Sequence, residues 1–118
     1  MAVRTAAIET LKTHKEKTLI YTWSGLLNGD SGEPIEMPSF ADRSIQIVGV
    51  FGSGGNLRIQ GSNNGTDWAT LTDPQGNDLN ITTAKIEQVT EVVRYIRPLV
   101  TAGDGTTDLD LILLVRRN

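Results

Sequence analysis

The 118-residue sequence contains no cysteine and only one histidine, His14. The first absence excludes disulfide scaffolds, cysteine-ligated zinc, iron–sulfur clusters and thiol nucleophiles together. The single histidine lies in a charged N-terminal stretch, where it is poorly suited to a Ser-His-Asp triad. One histidine without cysteine also provides too few of the usual ligands for a zinc centre. We therefore predict no catalytic residues, no cofactor and no metal site, and a protein that is not an enzyme.

Long apolar runs and dense clusters of one charge are also missing. No apolar run approaches the ~20 residues that a membrane-spanning helix needs, and the N-terminus carries charges where a signal peptide has its apolar core. The 11 basic residues are scattered among 14 acidic ones, whereas a polyanion binder needs a concentrated basic face. We predict neither a nucleic-acid nor a membrane partner, and synthesis in the cytoplasm.

What the sequence does contain is a series of short β patterns separated by Gly, Asn, Asp and Pro turns. In the closing strand Leu109, Leu111, Leu113 and Val115 share one face, while Ile112 and Leu114 on the other predict that both sides are covered. The predicted fold is an all-β, jelly-roll-like β-sandwich of about eight strands. Strand patterns occur at residues 18–23, 44–51, 56–60, 68–71, 79–81, 94–100 and 109–115.

Residues 1–17 lack the strand pattern of the rest of the chain. They are predicted to be an N-terminal arm or short helix preceding a sandwich domain of residues 18–118. Val3, Ala7, Ile8 and Leu11 would form one weak helical stripe, without an N-cap. A frayed terminus and an arm ordered against a neighbouring subunit are both open; we favour the arm.

Three connecting segments carry specific predictions. Gly52–Gly55 is expected to be a hairpin connection, and residues 85–93 are expected to be extended because β-branched residues dominate them. Pro98 predicts an edge or a bulge, since proline cannot donate to a strand ladder.

The segment Gly61-Ser-Asn-Asn-Gly-Thr-Asp-Trp68 is the most site-like part of the chain. Asn64-Gly65 predicts a tight hairpin, after which Trp68 would pack on the core. The alternative is that the turn and its indole form a recognition surface. Asp104, Asp108 and Asp110 cluster near another turn; they are expected to be solvated, with calcium binding as the alternative.

Residues 62–68 resemble the S-x-D-G-x-x-W hairpin of discoidin-like, galactose-binding-like domains, with Asn64 in place of the usual aspartate. Val93-Arg-Tyr-Ile-Arg97 is similar to a strand of the same family. This resemblance implies a jelly-roll sandwich in which the hairpin is largely structural.

A second resemblance covers roughly Tyr21 to Arg117. Together with residues 61–68 it joins Thr22–Gly32, Val50–Gly55, Asp73–Gly76, Ile96–Pro98 and Gly103–Thr107. This series looks like the small decoration (cement) proteins encoded among the head genes of tailed bacteriophages. It implies a homo-oligomer, a trimer or dimer, that sits on the virion surface and clamps neighbouring subunits of the major capsid protein.

Candidate partner-binding residues follow from the residue types that dominate interfaces, aromatic residues and arginine. They are Arg4, Lys12, Trp23, Arg94 and Arg97. Core packing of Trp23 and solvated arginines are the alternatives. The alternative function is a carbohydrate-binding, galactose-binding-like module of a phage tail or surface assembly.

Overall fold

The computed structural model describes residues 1–10, 17–36 and 39–117. These residues form two facing β-sheets and no helix, which confirms the predicted all-β sandwich. The strands number twelve rather than about eight, because five two-residue strands complete the sheet edges. None of the described residues belongs to a helix that could cross a membrane. The strands are β1 (Val3–Arg4), β2 (Ala6–Thr10), β3 (Thr18–Leu26), β4 (Ser31–Gly32), β5 (Ile35–Glu36), β6 (Asp42–Val50), β7 (Asn56–Ser62), β8 (Ala69–Thr70), β9 (Asn80–Ile81), β10 (Lys85–Gln88), β11 (Tyr95–Ala102) and β12 (Asp108–Arg116).

The five-stranded sheet has the order β10-β6-β12-β3-β2, and all its pairs are antiparallel. Its last strand in sequence, β12, lies in the centre. On β12 the predicted alternation is present, since Leu109, Leu111, Leu113 and Val115 are all buried between the sheets. Ile112 and Leu114 point to the other face and are only partly covered within this chain.

The seven-stranded sheet is built around β11 and β7, which pair antiparallel along most of their length. On the far side of β11 the sheet continues through two short strands, β4 and β5, instead of one. β1 extends β4 in parallel, while β8 and β9 both pair with β7. The core fills the space between the two sheets. Its largest fully buried side chains include Trp23, Leu26, Ile45, Ile47, Leu57, Ile59 and Ile96.

The split between β4 and β5 explains Pro98, which the sequence predicted at an edge or bulge. β11 is an interior strand, so the edge prediction is wrong, and its bulge lies later, between Val100 and Ala102. Pro98 faces the interruption of the neighbouring strand, where no carbonyl needs an N–H from β11. A side chain at Gly32 would meet both Pro98 and the Trp23 indole within 2.6 Å, so only glycine fits there.

Gly52–Gly55 is not a hairpin connection, because β6 and β7 belong to different sheets. The segment crosses from one sheet to the other at one end of the sandwich. Asp104 holds it there by accepting the Ser53 N–H at 2.8 Å, and the Thr107 hydroxyl donates to the Phe51 carbonyl at 2.8 Å. Of residues 85–93, which were predicted to be extended, residues 85–88 form edge strand β10 and residues 89–93 belong to no strand.

The N-terminal segment bridges the sheets. β1 joins the seven-stranded sheet, and β2 pairs with β3 in the five-stranded sheet. The short-helix prediction is therefore wrong for residues 3–10, which form strands that pair with their own chain without a neighbouring subunit. Lys12 and His14 lie outside the described residues.

Asp30, which is only 3 % exposed, fixes this bridge in place. Its carboxylate accepts the N–H groups of Ala2 and Leu27 and the Arg4 Nε–H, each at 2.9 Å. Burial alone would raise the pKa of Asp30. The two N–H donors and the Arg4 guanidinium outweigh that effect and hold the pKa below its usual value of 3.8.

We expect Asp30→Ala to lower the free energy of unfolding by about 2–4 kcal/mol, because it leaves two N–H groups and Arg4 without their acceptor. Since the folded pKa is depressed, this contribution is present above pH 3.8 and is lost as the pH falls through the folded pKa. Urea unfolding of the wild type and of Asp30→Ala across the acidic pH range measures this difference in the free energy of unfolding.

Glu36→Ala is the control, since its ion pair with Arg94 is about half exposed on both sides. Removing that pair is expected to cost measurably less stability than Asp30→Ala, because solvent screens an exposed ion pair. Equal losses in the two variants would contradict the role given to Asp30.

Candidate partner-binding surface

The segment GSNNGTDW forms the predicted hairpin between β7 and β8, with Gly61 opposite Ala69. Asn64 organises the turn through its side chain, because its Oδ1 accepts the Thr66 and Asp67 N–H groups at 2.9 Å. Its Nδ2 donates to the Asp67 carboxylate at 3.0 Å, which an aspartate at position 64 could not do. Only Gly65 adopts a positive φ, 78°, so the loop is wider than a two-residue turn.

Trp68, at the end of this hairpin, is half-buried on the outer surface and is not part of the core, contrary to the predicted packing. β8 begins directly after Trp68, and the pairing of Ala69 with Gly61 places Trp68 on the outward face that Gln60 shares. The Arg97 guanidinium lies over the indole with its Cζ 3.9 Å from the ring centroid. This distance is typical of a cation–π contact.

The Arg97 side chain comes from the centre of the seven-stranded sheet, where it points outward opposite Gln60. Its Nε donates to the Gln60 Oε1 at 3.0 Å, so the guanidinium is held from two directions. Partial burial lowers the pKa of Arg97 from its usual value, but an arginine stays charged at neutral pH. Arg97 and Trp68 thus form one rigid, charged and aromatic unit.

Tyr95 and Arg94, two and three residues before Arg97, extend the same region. The Arg94 Cζ lies 4.9 Å from the Tyr95 ring centroid, and its Nε donates to Glu36 at 2.7 Å. The Arg94 backbone N–H donates to the Asn63 side chain, which ties the strand start to the hairpin. We call the set Gln60, Trp68, Arg94, Tyr95 and Arg97 the arginine–aromatic surface.

The charge of this face opposes that of the whole chain. Arg58, Arg94 and Arg97 are the basic residues here. The acidic residues are Glu36, which pairs with Arg94, and Asp67 of the hairpin. The chain as a whole carries a net charge of −3. An acidic partner surface is therefore the complement that this face favours.

Of the five residues expected to bind a partner, Arg94 and Arg97 lie together on this surface. Trp23 does not: its side chain is 0 % exposed between the sheets, and its Nε1 donates to the Glu33 carbonyl at 3.2 Å. The core-packing alternative therefore holds for Trp23. Arg4 is paired with Asp30 at another edge, and Lys12 lies outside the described residues.

Tyr95 and Gln60 were missed as site residues. Their outward direction follows from the alternation along β11 and β7, in which Ile96 and Ile59 point into the core. That signal is present in the sequence. The pairing that sets Arg97 beside Gln60 and Trp68 depends on strands far apart in the chain.

The aspartates near residue 104 do not come together as a metal site. Asp104 accepts the Ser53 and Thr106 N–H groups and the Thr106 hydroxyl. The Thr106 hydroxyl is the largest cause that lowers the pKa of Asp104 to about 2. Asp110 instead accepts the Gly25 N–H at 3.0 Å. Within residues 1–10, 17–36 and 39–117, no group of three or more acidic, histidine or cysteine residues is placed to hold a metal ion.

The fold has a counterpart among solved structures, although no known protein family and no curated protein sequence matches the chain. The SPBc2 prophage-derived protein YomS has a TM-score of 0.63 at 10 % identity, with 83 % of this chain and 93 % of YomS aligned. At 10 % identity this likeness shows a shared fold and assigns no role.

Two further comparisons concern the prediction that the chain is not an enzyme. KdgF from Halomonas sp. aligns at TM-score 0.43 and 10 % identity over 96 % of this chain and 80 % of KdgF. Iron(II) HppE in complex with substrate aligns with a TM-score of 0.43 and 15 % sequence identity. The alignment covers 93 % of this chain and 53 % of HppE. The prediction is corrected, because a substrate-binding metalloprotein is among the similar folds. At these TM-scores neither likeness assigns an activity.

We expect acrylamide to quench one of the two tryptophans, Trp68, because Trp23 is fully buried. Trp68→Phe should leave a shielded emission. Arg97→Ala should raise the quenching constant by uncovering one indole face, and should cost about 0.5–1 kcal/mol of stability. Steady-state fluorescence quenching and urea unfolding measure both effects.

Arg58→Ala is the matched control, since this arginine lies on the same face and bonds Asn80 at 3.4 Å. It should leave the quenching constant unchanged. Unaltered quenching in Trp68→Phe would mean that Trp23 is the accessible indole and would overturn this assignment.

Proposed function

We propose that the protein is a structural virion protein that binds the outside of an assembled phage capsid and stabilises it by bridging major capsid subunits. The observation that carries the proposal is the arginine–aromatic surface. Arginine, tryptophan and tyrosine are the residue types that dominate binding energy at protein interfaces. Here they lie together on one sheet face, around a stacked pair at 3.9 Å.

The rigidity of this surface suits a partner with a fixed shape. Arg97 is held by Gln60 and Trp68, and Arg94 by Glu36 and Tyr95. Ordering long side chains on binding costs about 0.5–1.5 kcal/mol each, and much of that cost is already met in the free protein. The prophage origin of YomS, which shares the fold, supports the same setting.

Each contact with a shell would be modest, since one sheet face of a 12.8 kDa domain is small. Many copies on a repeating lattice add their contributions, and ligands that bind only the assembled state stabilise it by mass action. A basic face against an acidic shell surface also predicts that binding weakens as salt rises. The proposed partner is therefore the capsid shell, and the proposed location is the virion surface.

We expect the purified protein, added in excess to capsids of the phage that encodes it, to raise their melting temperature. Arg97→Ala and Trp68→Ala should each weaken binding by about 10-fold or more, as hot-spot truncations do. Co-sedimentation with expanded capsids measures binding, and calorimetry measures the melting of the shell.

Lys85→Ala is the control, because it removes one positive charge from an edge strand of the other sheet. It should bind like the wild type. Shell melting that stays unchanged at saturating protein would refute the proposal.

A second function, a carbohydrate-binding module of a phage tail or surface assembly, is favoured by one observation. Trp68 is at the surface beside an amide, Gln60, and sugar sites combine an aromatic platform with hydrogen-bonding side chains. In this case glycan-array binding should be present and should be lost in Trp68→Ala with the fold retained. Loss in Gln60→Ala with Lys85→Ala unaffected would locate the sugar on this face. An array without binding would exclude this alternative for the glycans it displays.

A further inference from the structure

The outer face of the five-stranded sheet has a composition that its position in a single chain does not explain. Outward residues of a solvated sheet are normally polar. Here the central outward positions of β12 and β3 hold Ile112, Leu114 and Ile20. Val48 of β6 lies towards one end, opposite Asp110, and edge strand β10 adds Ile86 at 63 % exposed. The uncharged residues Thr22, Ser44, Gln46 and Gln88 fill the positions between them.

Charged residues on this face are restricted to its margins. Asp42 and Arg116 pair at 3.0 Å at one end of the strands, and Asp108 and Asp110 lie at the other. Glu9 lies on the edge strand β2. An uncharged centre with a charged rim is the arrangement of a protein–protein interface.

We infer that this face binds the same face of a second copy, forming a two-fold dimer. The inference uses the sheet opposite the arginine–aromatic surface and does not rest on the proposed function. Face-to-face packing of two sheets at about 10 Å is the way in which β-sandwich cores form. It would cover Ile112 and Leu114 on their second side, as the closing strand's sequence predicts.

The size of the face fits a dimer. Three strands of nine residues at about 3.4 Å per residue, spaced about 4.8 Å apart, with the two shorter edge strands, make roughly 600 Å² per copy. Two copies thus bury about 1,200 Å², within the range of specific interfaces.

The charges also match under a two-fold axis. An axis across the strands at Leu113 sets Leu114 of one copy against Ile112 of the other, because the two positions are equally far from it. The same operation sets Arg116 opposite Asp110. Arg116 is 62 % exposed and free to contact a second carboxylate beside Asp42. At each end of the interface Arg116 would therefore lie between Asp42 of its own chain and Asp110 of the other copy.

Sedimentation equilibrium of the wild-type protein is expected to give twice the 12.8 kDa chain mass. Leu114→Lys places a charge in the apolar centre and should raise the dissociation constant by about 100-fold or more. Leu99→Lys is the matched control, because Leu99 is also a partly exposed, outward leucine but lies on the seven-stranded sheet. It should stay dimeric.

A second variant guards against misfolding. Leu114→Cys introduces the only thiol in a cysteine-free chain, and a short bis-maleimide should link two copies through it but not through Leu99→Cys. A wild-type monomer at on the order of 100 µM would overturn the inference, as would a trimer. So would a dimer that survives Leu114→Lys, or one that is crosslinked through Leu99→Cys and not through Leu114→Cys.

Discussion

The burial of the closing strand β12 between two distant strands is the constraint on which the structure depends. β12 inserts between β3, near the start of the chain, and β6. Its inward leucines complete the core against Ile45, Ile47 and Trp23. The five-stranded sheet therefore cannot exist until residues 108–116 are present. Pairing strands that are far apart in the chain requires long loops to close, at a cost in entropy, before the contacts between them form. Folding is therefore expected to be slow for a chain of this size.

The same constraint separates the two outer faces of the sandwich. The seven-stranded sheet presents side chains that are already paired with each other, such as Arg97 with Gln60 and Arg94 with Glu36. The five-stranded sheet presents Ile112, Leu114 and the neighbouring Ile20, which their own chain covers only partly. A polar, preorganised face suits a contact that forms with another molecule after folding. An apolar face suits a contact between copies that persists.

Periodicity was sufficient to predict most of the fold. The alternation in β12 and the turn residues of Asp73–Gly76 follow from local rules, and the Gly76 N–H does donate to the Asp73 carbonyl at 3.0 Å. The failures share one cause, because each depended on which strands become neighbours. Gly52–Gly55 resembles a hairpin until β6 and β7 are found in different sheets. Pro98 resembles an edge residue until the neighbouring strand is found to be split.

The two tryptophans show the same limit for the site. From the sequence both were open to a core or a surface position. Trp23 lies inside because β3 pairs with central β12, and Gly32 leaves room for its indole. Trp68 lies outside because the register of β7 with β8 pairs Ala69 with Gly61 and so turns Trp68 to the outer face. Residue type was therefore enough to propose Arg94 and Arg97 as partner-binding residues. Only the pairing of β7 with β11 makes them part of one surface.

That pairing also determines how the surface can recognise a partner. Arg97 stands on an interior strand, so its backbone is fixed by β7 on one side. Its guanidinium is fixed by Gln60 and by the Trp68 ring. A partner carboxylate thus meets a donor whose position is set by the sheet, and the remaining guanidinium N–H groups define its approach. A lysine would supply the charge but neither the planar stack nor the fork of donors. Specificity at this surface therefore depends on the shape of arginine as well as on its charge.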